Sequence, residues 1–168
     1  ALEQVELADR LGFDTVWEVE HHFLEEYSHS SAPEVFLAAC SQRTKRIRLG
    51  HGIVQLPIQF NHTARVVERI ATLDLVSDGR VEFGTGEACC EAELGGFMID
   101  MPPRNVLPKS LQKPHPPLWV ACSRRETIHL AAEKGIGALS FSFVEPAEAK
   151  LWVDDYYQTL SSSACVPA

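Results

Sequence analysis

The sequence lacks the features that mark several classes of protein. No apolar run approaches the roughly 20 residues that a membrane-spanning helix needs, and the first residues do not form the basic start and apolar block of a signal peptide. Positive charge is scarce, since 15 Lys and Arg stand against 23 Asp and Glu, a formal charge of −8. This acidic balance argues against nucleic acid and anionic membranes as partners.

The five cysteines lack a pairing pattern. Their number is odd and no C-x-x-C spacing occurs, which argues against a disulfide framework and a zinc site. We therefore expect a reducing, cytoplasmic location. The neighbouring Cys89 and Cys90 invite a redox interpretation, but buried free thiols are the simpler hypothesis.

Helical and strand patterns alternate along the 168 residues, 45% of which are apolar, and we expect a single domain over residues 1–168. The predicted strands are Phe13 to Glu18, Arg46 to Val54, Arg80 to Gly84, Leu118 to Cys122 and Ala138 to Phe143. Alternation with short connections predicts an α/β fold with parallel strands and helices outside. An open doubly wound sheet also fits, although no G-x-G-x-x-G motif follows the first strand.

Five helices are predicted between and around these strands. The first ends at Gly12, the second begins at Pro33 and the third covers Thr63 to Val76. The fourth ends near Gly135 and the fifth begins at Pro146. Two starts, Ser31 to Glu34 and Ser123 to Glu126, have capping-box spacing. The proline-rich stretch from Asp100 to Pro117 holds no helix of ordinary length, although a parallel crossover normally contains one.

Glu20, His21 and His22 follow the first predicted strand. Neighbouring strand residues point to opposite faces, so the two histidines cannot easily share a metal, and no metal site is predicted. We expect one imidazole at the carboxyl end of the sheet, where it could transfer protons near neutral pH. The alternative is a hydrogen-bonded structural histidine pair.

Polar groups follow three further predicted strands. Ser123, Arg124 and Thr127 stand at a helix N-terminus, which suits a phosphate, although a plain helix cap with solvated arginines is the alternative. The glycines from Gly84 to Gly86 either admit a ligand close to the backbone or form a tight turn.

After the second strand, His51, Asn61 and His62 either line the same edge, or Asn61 and His62 simply cap the next helix.

These segments, taken together, resemble the bacterial luciferase-like flavin-dependent monooxygenases. The resemblance covers nearly the whole chain and rests on Phe13 to Trp17 with Glu20 to Phe23, Arg43 to Gly50, Leu73 to Arg80, Phe83 to Gly86, Glu93 to Phe97 and Ser123 to Thr127. It implies a (β/α)8 TIM barrel that binds reduced FMN, or in one branch a reduced deazaflavin, at the carboxyl ends of its strands.

The resemblance also assigns roles to residues. His21 matches the family's catalytic histidine, a general acid or base near the flavin ring. The residues that match flavin-contacting positions are Thr85, Gly86, Glu87 and Ala88 in the glycine-rich loop, and Ser123, Arg124 and Thr127 at the phosphate.

The implied function is a monooxygenase that uses reduced FMN and oxygen to oxidise a small organic substrate. A flavin reductase would supply the reduced flavin, and relatives commonly form dimers through the helices after their second and third strands. A deazaflavin-dependent oxidoreductase is the less favoured alternative, because the Glu-His-His form is closer to the FMN branch. A non-catalytic partner subunit or fragment is a further alternative.

The sequence departs from the family in length and in two positions. A full barrel takes roughly 250 residues, so we expect an incomplete barrel, with segments missing at the junction of Asp100 and Met101 and at both ends. Thr63 stands where relatives often carry proline. Cys89 and Cys90 replace small polar residues, which weakens the expected flavin contacts there.

Overall fold

A computed structural model describes residues 1–22, 26–57, 61–86, 107–140 and 145–162, and helices and strands alternate along these ranges except that β4 follows β3 directly. The helices are α1 (Leu2–Leu11), α2 (Pro33–Arg43), α3 (Thr63–Val76), α4 (Arg125–Lys134) and α5 (Pro146–Ser162). The strands are β1 (Thr15–Val19), β2 (Arg48–Ile53), β3 (Val81–Thr85), β4 (Leu118–Cys122) and β5 (Gly137–Ser140). Within these ranges no helix has the length and apolar character to span a membrane.

The strands form one parallel sheet in which spatial order equals chain order, β1-β2-β3-β4-β5. A doubly wound sheet would reverse direction at a switch point, where the strand after the reversal pairs with an earlier one. No such reversal occurs among the described strands. The predicted barrel-type fold is therefore confirmed, in a form with five of the eight strands of a complete barrel.

The element boundaries follow the sequence patterns closely in the middle of the chain. The bounds predicted for α3 and β4 are those observed. Strand β1 begins two residues later than predicted, because Phe13 belongs to the turn that ends α1, where its backbone N–H donates to the carbonyl of Ala8 at 3.1 Å. The predicted end of β5 lies partly among residues 141–144, outside the described residues.

Both predicted capping boxes are wrong. The N-cap of α2 is Ala32 and that of α4 is Arg124, and neither helix has a side-chain cap. Ser31 and Ser123 each lie one position before the cap, so the capping-box spacing is out of register with the actual helix start.

Two apolar clusters fill the space between the sheet and its helices. The first joins α1 to α3 with β1 to β3, and its buried members are Val5, Leu37, Cys40, Ile47, Leu49, Val54, Val66, Ile70, Leu73 and Val81. The second joins α4 and α5 with β4 and β5 through Cys122, Ile128, Ala131 and Trp152. Helices that pack on only one side of the sheet leave the other side as the concave barrel face.

Large aromatic rings cover the concave face near the amino ends of the strands. Trp17 lies over Gly50 and Trp119 lies over Gly137, so a Cβ added at these glycines would stand 2.3 and 2.1 Å from the indole carbons. The two indoles meet edge to face with centroids 5.4 Å apart. Glu82 accepts from the Trp119 Nε1 at 2.7 Å and pairs with an arginine of β2.

The irregular connection before β4 is anchored at the amino end of the sheet. Gln112 donates its backbone N–H to Asp74 Oδ2 at 2.8 Å and its Nε2 to Asp74 Oδ1 at 2.7 Å. The same amide nitrogen reaches the carbonyl of Val81 at 2.8 Å. Asp74 is fully buried. These bonds hold residues 107–117 against α3 and β3, which brings β4 beside β3 without a described helix between them.

Candidate functional site

The carboxyl end of β1 carries the predicted catalytic segment. The backbone N–H of Glu20 donates to the carbonyl of Ile53 at 3.1 Å, which ties the segment to the end of β2. The N–H of His21 donates to the carbonyl of Ser30 at 2.8 Å. The two histidines therefore lie at the carboxyl edge of the sheet, where α/β barrels bind their substrates.

Glu20 organises this edge. It is buried, with 6% of its surface exposed. Its Oε2 accepts the backbone N–H of Gln55 at 2.9 Å, and its Oε1 contacts His22 Nε2 at 2.8 Å and accepts from Asn61 Nδ2 at 3.3 Å. One carboxylate thus joins the end of β1, the loop after β2 and the start of α3.

The two histidines lie beyond the end of β1 and have different surroundings. His22 is bonded to the Glu20 carboxylate. His21 is half-buried, and its Nδ1 is buried without a hydrogen-bond partner in the described part of the chain. His21 therefore keeps a buried ring nitrogen without a partner among the described residues, whereas His22 is held in the protein network.

Charged side chains extend the network behind Glu20. Arg69 of α3 donates its Nη2 to Asn61 Oδ1 at 2.6 Å and its Nη1 to Glu34 of α2 at 2.9 Å. Neither Arg69 nor Glu34 belongs to a sequence motif that pointed to this site. Arg69 lies in α3 about two helical turns after Asn61, which precedes the helix, and this spacing is the signal that the sequence offered for their contact.

The interpretation that His51 lines the carboxyl edge, one of those left open by the sequence, is wrong. His51 lies inside β2 with 1% of its surface exposed, on the same side as the core residue Leu49 two positions before it. Burial and the charge of Arg69 lower the pKa of His51 to about 4, and the carbonyl of Glu82 opposes them. The ring is therefore neutral at physiological pH.

The residues predicted as a cap of α3 divide into two roles. His62 is the N-cap, and its Nδ1 accepts the backbone N–H of Ala64 at 3.2 Å, which confirms the capping interpretation for this residue. Asn61 instead contributes its amide to the Glu20 network and donates to the carbonyl of Gln55 at 2.9 Å.

The carboxyl end of β3 brings Thr85 and Gly86 between the ends of β2 and β4. A Cβ at Gly86 would stand 2.9 Å from the Ala121 Cβ and 3.2 Å from Ile53 Cγ1, so this glycine has a packing reason independent of any ligand. Glu87 and Ala88 of the same predicted loop lie outside the described residues, and so do Cys89 and Cys90.

The N-terminus of α4 follows β4 and is open. Ser123 and Arg124 are exposed and Thr127 is half-buried. Because α4 has no side-chain cap, no capping side chain competes with an anion for the amides at the start of this helix. Arg125 is instead committed to Asp155 of α5.

The predicted site residues thus gather at one edge of the sheet but not at one point. His21 follows β1, Thr85 and Gly86 end β3, and Ser123 follows β4. With strands about 4.8 Å apart, the β1 and β4 ends lie about 14 Å from each other along the sheet. This arrangement suits an elongated ligand with an anionic group at one end.

Comparison with known proteins identifies the family. The model of the luciferase-like monooxygenase family matches residues 1–105. The chain is 31% identical over 198 residues to the protein y4wF of Sinorhizobium fredii, covering 97% of this chain and 56% of that one. It is 26% identical over 169 residues to the oxygenase component of the flavin-dependent trigonelline monooxygenase of Acinetobacter baylyi, covering 80% and 46%. The chain spans about half the length of these relatives.

Solved structures agree with this assignment. The monooxygenase RslO1 of Streptomyces bottropensis superposes with a TM-score of 0.84 at 29% identity, covering 99% of this chain and 60% of that one. The oxygenating constituent of 3,6-diketocamphane monooxygenase of Pseudomonas putida, solved with FMN, gives 0.77 at 17% identity, with 99% and 58% covered. An F420-dependent secondary alcohol dehydrogenase gives 0.77 at 18%, with 99% and 61% covered. The last two show the fold alone. The chain belongs to the luciferase-like monooxygenase family and forms part of its TIM barrel.

Proposed function

We propose that this chain carries the flavin half of the active site of a monooxygenase that uses reduced FMN and oxygen to oxidise a small organic substrate. The observation that carries the proposal is that His21 and an uncapped helix N-terminus lie along the same carboxyl edge in a member of the luciferase-like family. Reduced flavin would supply the electrons for oxygen activation.

The phosphate would bind at the N-terminus of α4. The start of α4 has no side-chain cap, and its amides and the positive end of the helix dipole suit an anion, although the Thr127 N–H already donates to the Arg124 carbonyl at 3.2 Å. Ser123 and Arg124 add an exposed hydroxyl and guanidinium there. Thr127, in the same first turn, would add a second hydroxyl. Arg125 is excluded from this role because Asp155 already neutralises it.

The flavin ring would extend from α4 past β3 toward β1. Thr85 and Gly86 end β3 on that path, and Glu87 and Ala88 continue the chain from there. His21 would then act as the general acid or base near the ring. The half-buried position of His21 would limit water around the proton that it holds.

A comparison of two flavins tests the phosphate site directly. Reduced FMN should bind more tightly than reduced riboflavin, which lacks the phosphate. Arg124→Ala should weaken FMN binding about tenfold, roughly 1.4 kcal/mol, and leave riboflavin binding unchanged. Arg125→Ala is the matched control and should change neither. Equal binding of both flavins by the wild type would contradict this phosphate site.

Turnover tests the histidine. His21→Ala should bind reduced FMN as the wild type does but lose about 100-fold or more in substrate oxidation, the usual contribution of general acid–base catalysis. His22→Ala is a less clean comparison, because it breaks the bond to Glu20. Unchanged turnover by His21→Ala with flavin bound would rule out its catalytic role.

Deazaflavin-dependent oxidation or reduction is the second candidate function, because a structural neighbour with the same fold is named as F420-dependent. One observation favours FMN, since the relative from Acinetobacter baylyi is named flavin-dependent. The diketocamphane neighbour was solved with FMN, but it matches this chain no better than the F420-dependent neighbour does. The Acinetobacter baylyi relative is also named as an oxygenase component, which supports a separate reductase as the source of reduced flavin.

A homodimer through α2 and α3 is part of the proposal. A groove of about 540 Å³ runs between these helices and the segment at Leu107, and the groove residues Val35 and Val76 are 66% and 49% exposed. Val35→Glu should therefore lower the mass measured by light scattering to that of a monomer. Leu130→Glu, at a comparably exposed apolar position on α4, should leave it unchanged. A wild type that is monomeric at all concentrations would contradict the dimer.

A further inference from the structure

Behind His21 and His22, the strand-end histidines, lies a small cavity between β2 and α3. The proposed catalysis does not use this cavity. Its volume is about 10 Å³. It is lined by Glu20, Glu34, His51, Val54, Val66, Arg69 and Ile70. This volume is the space open to the centre of a water-sized sphere. A cavity needs about 10 to 15 Å³ of such space to hold one water molecule, so this one admits a single water and nothing larger.

His51 supplies the reason for a ligand there. The side chain is fully buried, and neither Nδ1 nor Nε2 forms a hydrogen bond of good geometry within the described residues, although the Glu82 carbonyl lies close enough to raise the pKa of the ring. The neutral imidazole has one N–H donor and one acceptor nitrogen. Buried polar groups in folded proteins are satisfied by protein or by ordered water, and the cavity is where water can reach this ring.

The other lining groups can complete the coordination of a water molecule. The Arg69 guanidinium has five N–H groups, and its bonds to Glu34 and Asn61 use two of them. The Glu20 carboxylate has about four acceptor positions, of which His22, Asn61 and Gln55 take three. A water in this cavity can therefore accept from Arg69 and donate to a carboxylate while it contacts the imidazole.

We propose that this cavity is a binding site for one ordered water molecule, which joins His51 to the Glu20 carboxylate. Glu20 holds His22 and the loop after β2, so the water would couple a core residue of β2 to the catalytic edge. His51 is then a positioning residue for the strand-end histidines. That last role rests on the proposed function, whereas the water site does not.

The water is tested by nuclear magnetic resonance on protein labelled with ¹⁵N-histidine and free of flavin. The ring N–H of His51, assigned by its loss in His51→Leu, should show a cross-relaxation peak with water. Val66→Ile adds a methyl group to the lining and should remove the peak while every polar group stays. Ile70→Val removes a methyl group from the same lining and should keep the peak.

The coupling is tested on the same samples. Loss of the water in Val66→Ile should shift the ring resonances of His22 and lower kcat with little change in KM for flavin, and Ile70→Val should do neither. No water peak in the wild type, or a crystal structure with both ring nitrogens of His51 bonded directly to protein groups, would overturn the proposal. A water peak with unchanged His22 resonances would overturn the positioning role. A folded wild type that binds no flavin would refute only the proposed function.

Discussion

The buried imidazole of His51 predicts a specific loss of stability in mild acid. Its pKa in the folded protein is about 4, against 6.5 for an unperturbed histidine. Above about pH 6.5 both the folded and the unfolded ring are neutral, and the group contributes nothing to the pH dependence. As the pH falls below 6.5, the His51 ring is protonated in the unfolded chain but not in the folded chain, so the free energy of unfolding decreases down to about pH 4.

The magnitude follows from the pKa difference. A change of 2.5 units, from 6.5 to about 4, corresponds to at most about 3 kcal/mol, and about 2 kcal/mol of it should be lost between pH 7.5 and pH 5. The large burial of the ring makes solvent screening a small correction. Carboxylates with lowered pKa values, such as Asp9, lose their stabilising effect at lower pH.

The assay is urea unfolding followed by circular dichroism at the two pH values. His51→Leu should reduce the loss of unfolding free energy between them by about 2 kcal/mol, since the variant has no imidazole to protonate on unfolding. His129→Gln, which removes a half-exposed imidazole of α4, is the control. If the wild type and His51→Leu lose the same free energy, the assignment of a buried neutral His51 is refuted.

Three further outcomes follow from the structure. Gly137→Ala should cost about 1–3 kcal/mol of stability in urea unfolding, because its Cβ would stand 2.1 Å from the Trp119 ring, and adding Trp119→Leu should recover part of that loss. Burial raises the pKa values of Cys40 and Cys122 to about 11, so peptide mapping should find both thiols unmodified by a thiol reagent until urea unfolds the protein. Asp9→Ala should cost about 1–3 kcal/mol, because its carboxylate accepts three backbone N–H groups of the turn before β2 at 2.7–3.0 Å, and a surface-like loss below 0.5 kcal/mol would contradict this.

Local patterns were sufficient for most of the elements. The apolar spacing of Val66, Ile70 and Leu73 defines α3, and the same residues are buried in the structure. The alternation of helices and strands left a doubly wound sheet open, and only the observed strand order decides against it. The capping boxes failed because a one-residue shift in helix start moves the serine out of reach, a shift that spacing alone cannot detect.

The candidate site was predictable as a set of strand ends, but its internal connections were not. Parallel strands put the residues after β1, β3 and β4 on one edge of the sheet, regardless of which side chains they carry. The bonds of Glu20 to Gln55 and Asn61, across 35 and 41 residues, depend on tertiary packing that no local pattern records. For His51 a signal was present, since strand alternation puts it on the same face as the apolar Leu49.

We propose that the carboxyl edge of this sheet binds a reduced flavin. An anaerobic titration of the folded chain with reduced FMN, and in parallel with reduced deazaflavin, tests it most directly. We expect saturable binding of FMN at one site per chain, weakened by Arg124→Ala, and weaker binding of the deazaflavin. A folded chain that binds neither cofactor, or that binds only the deazaflavin, would contradict it.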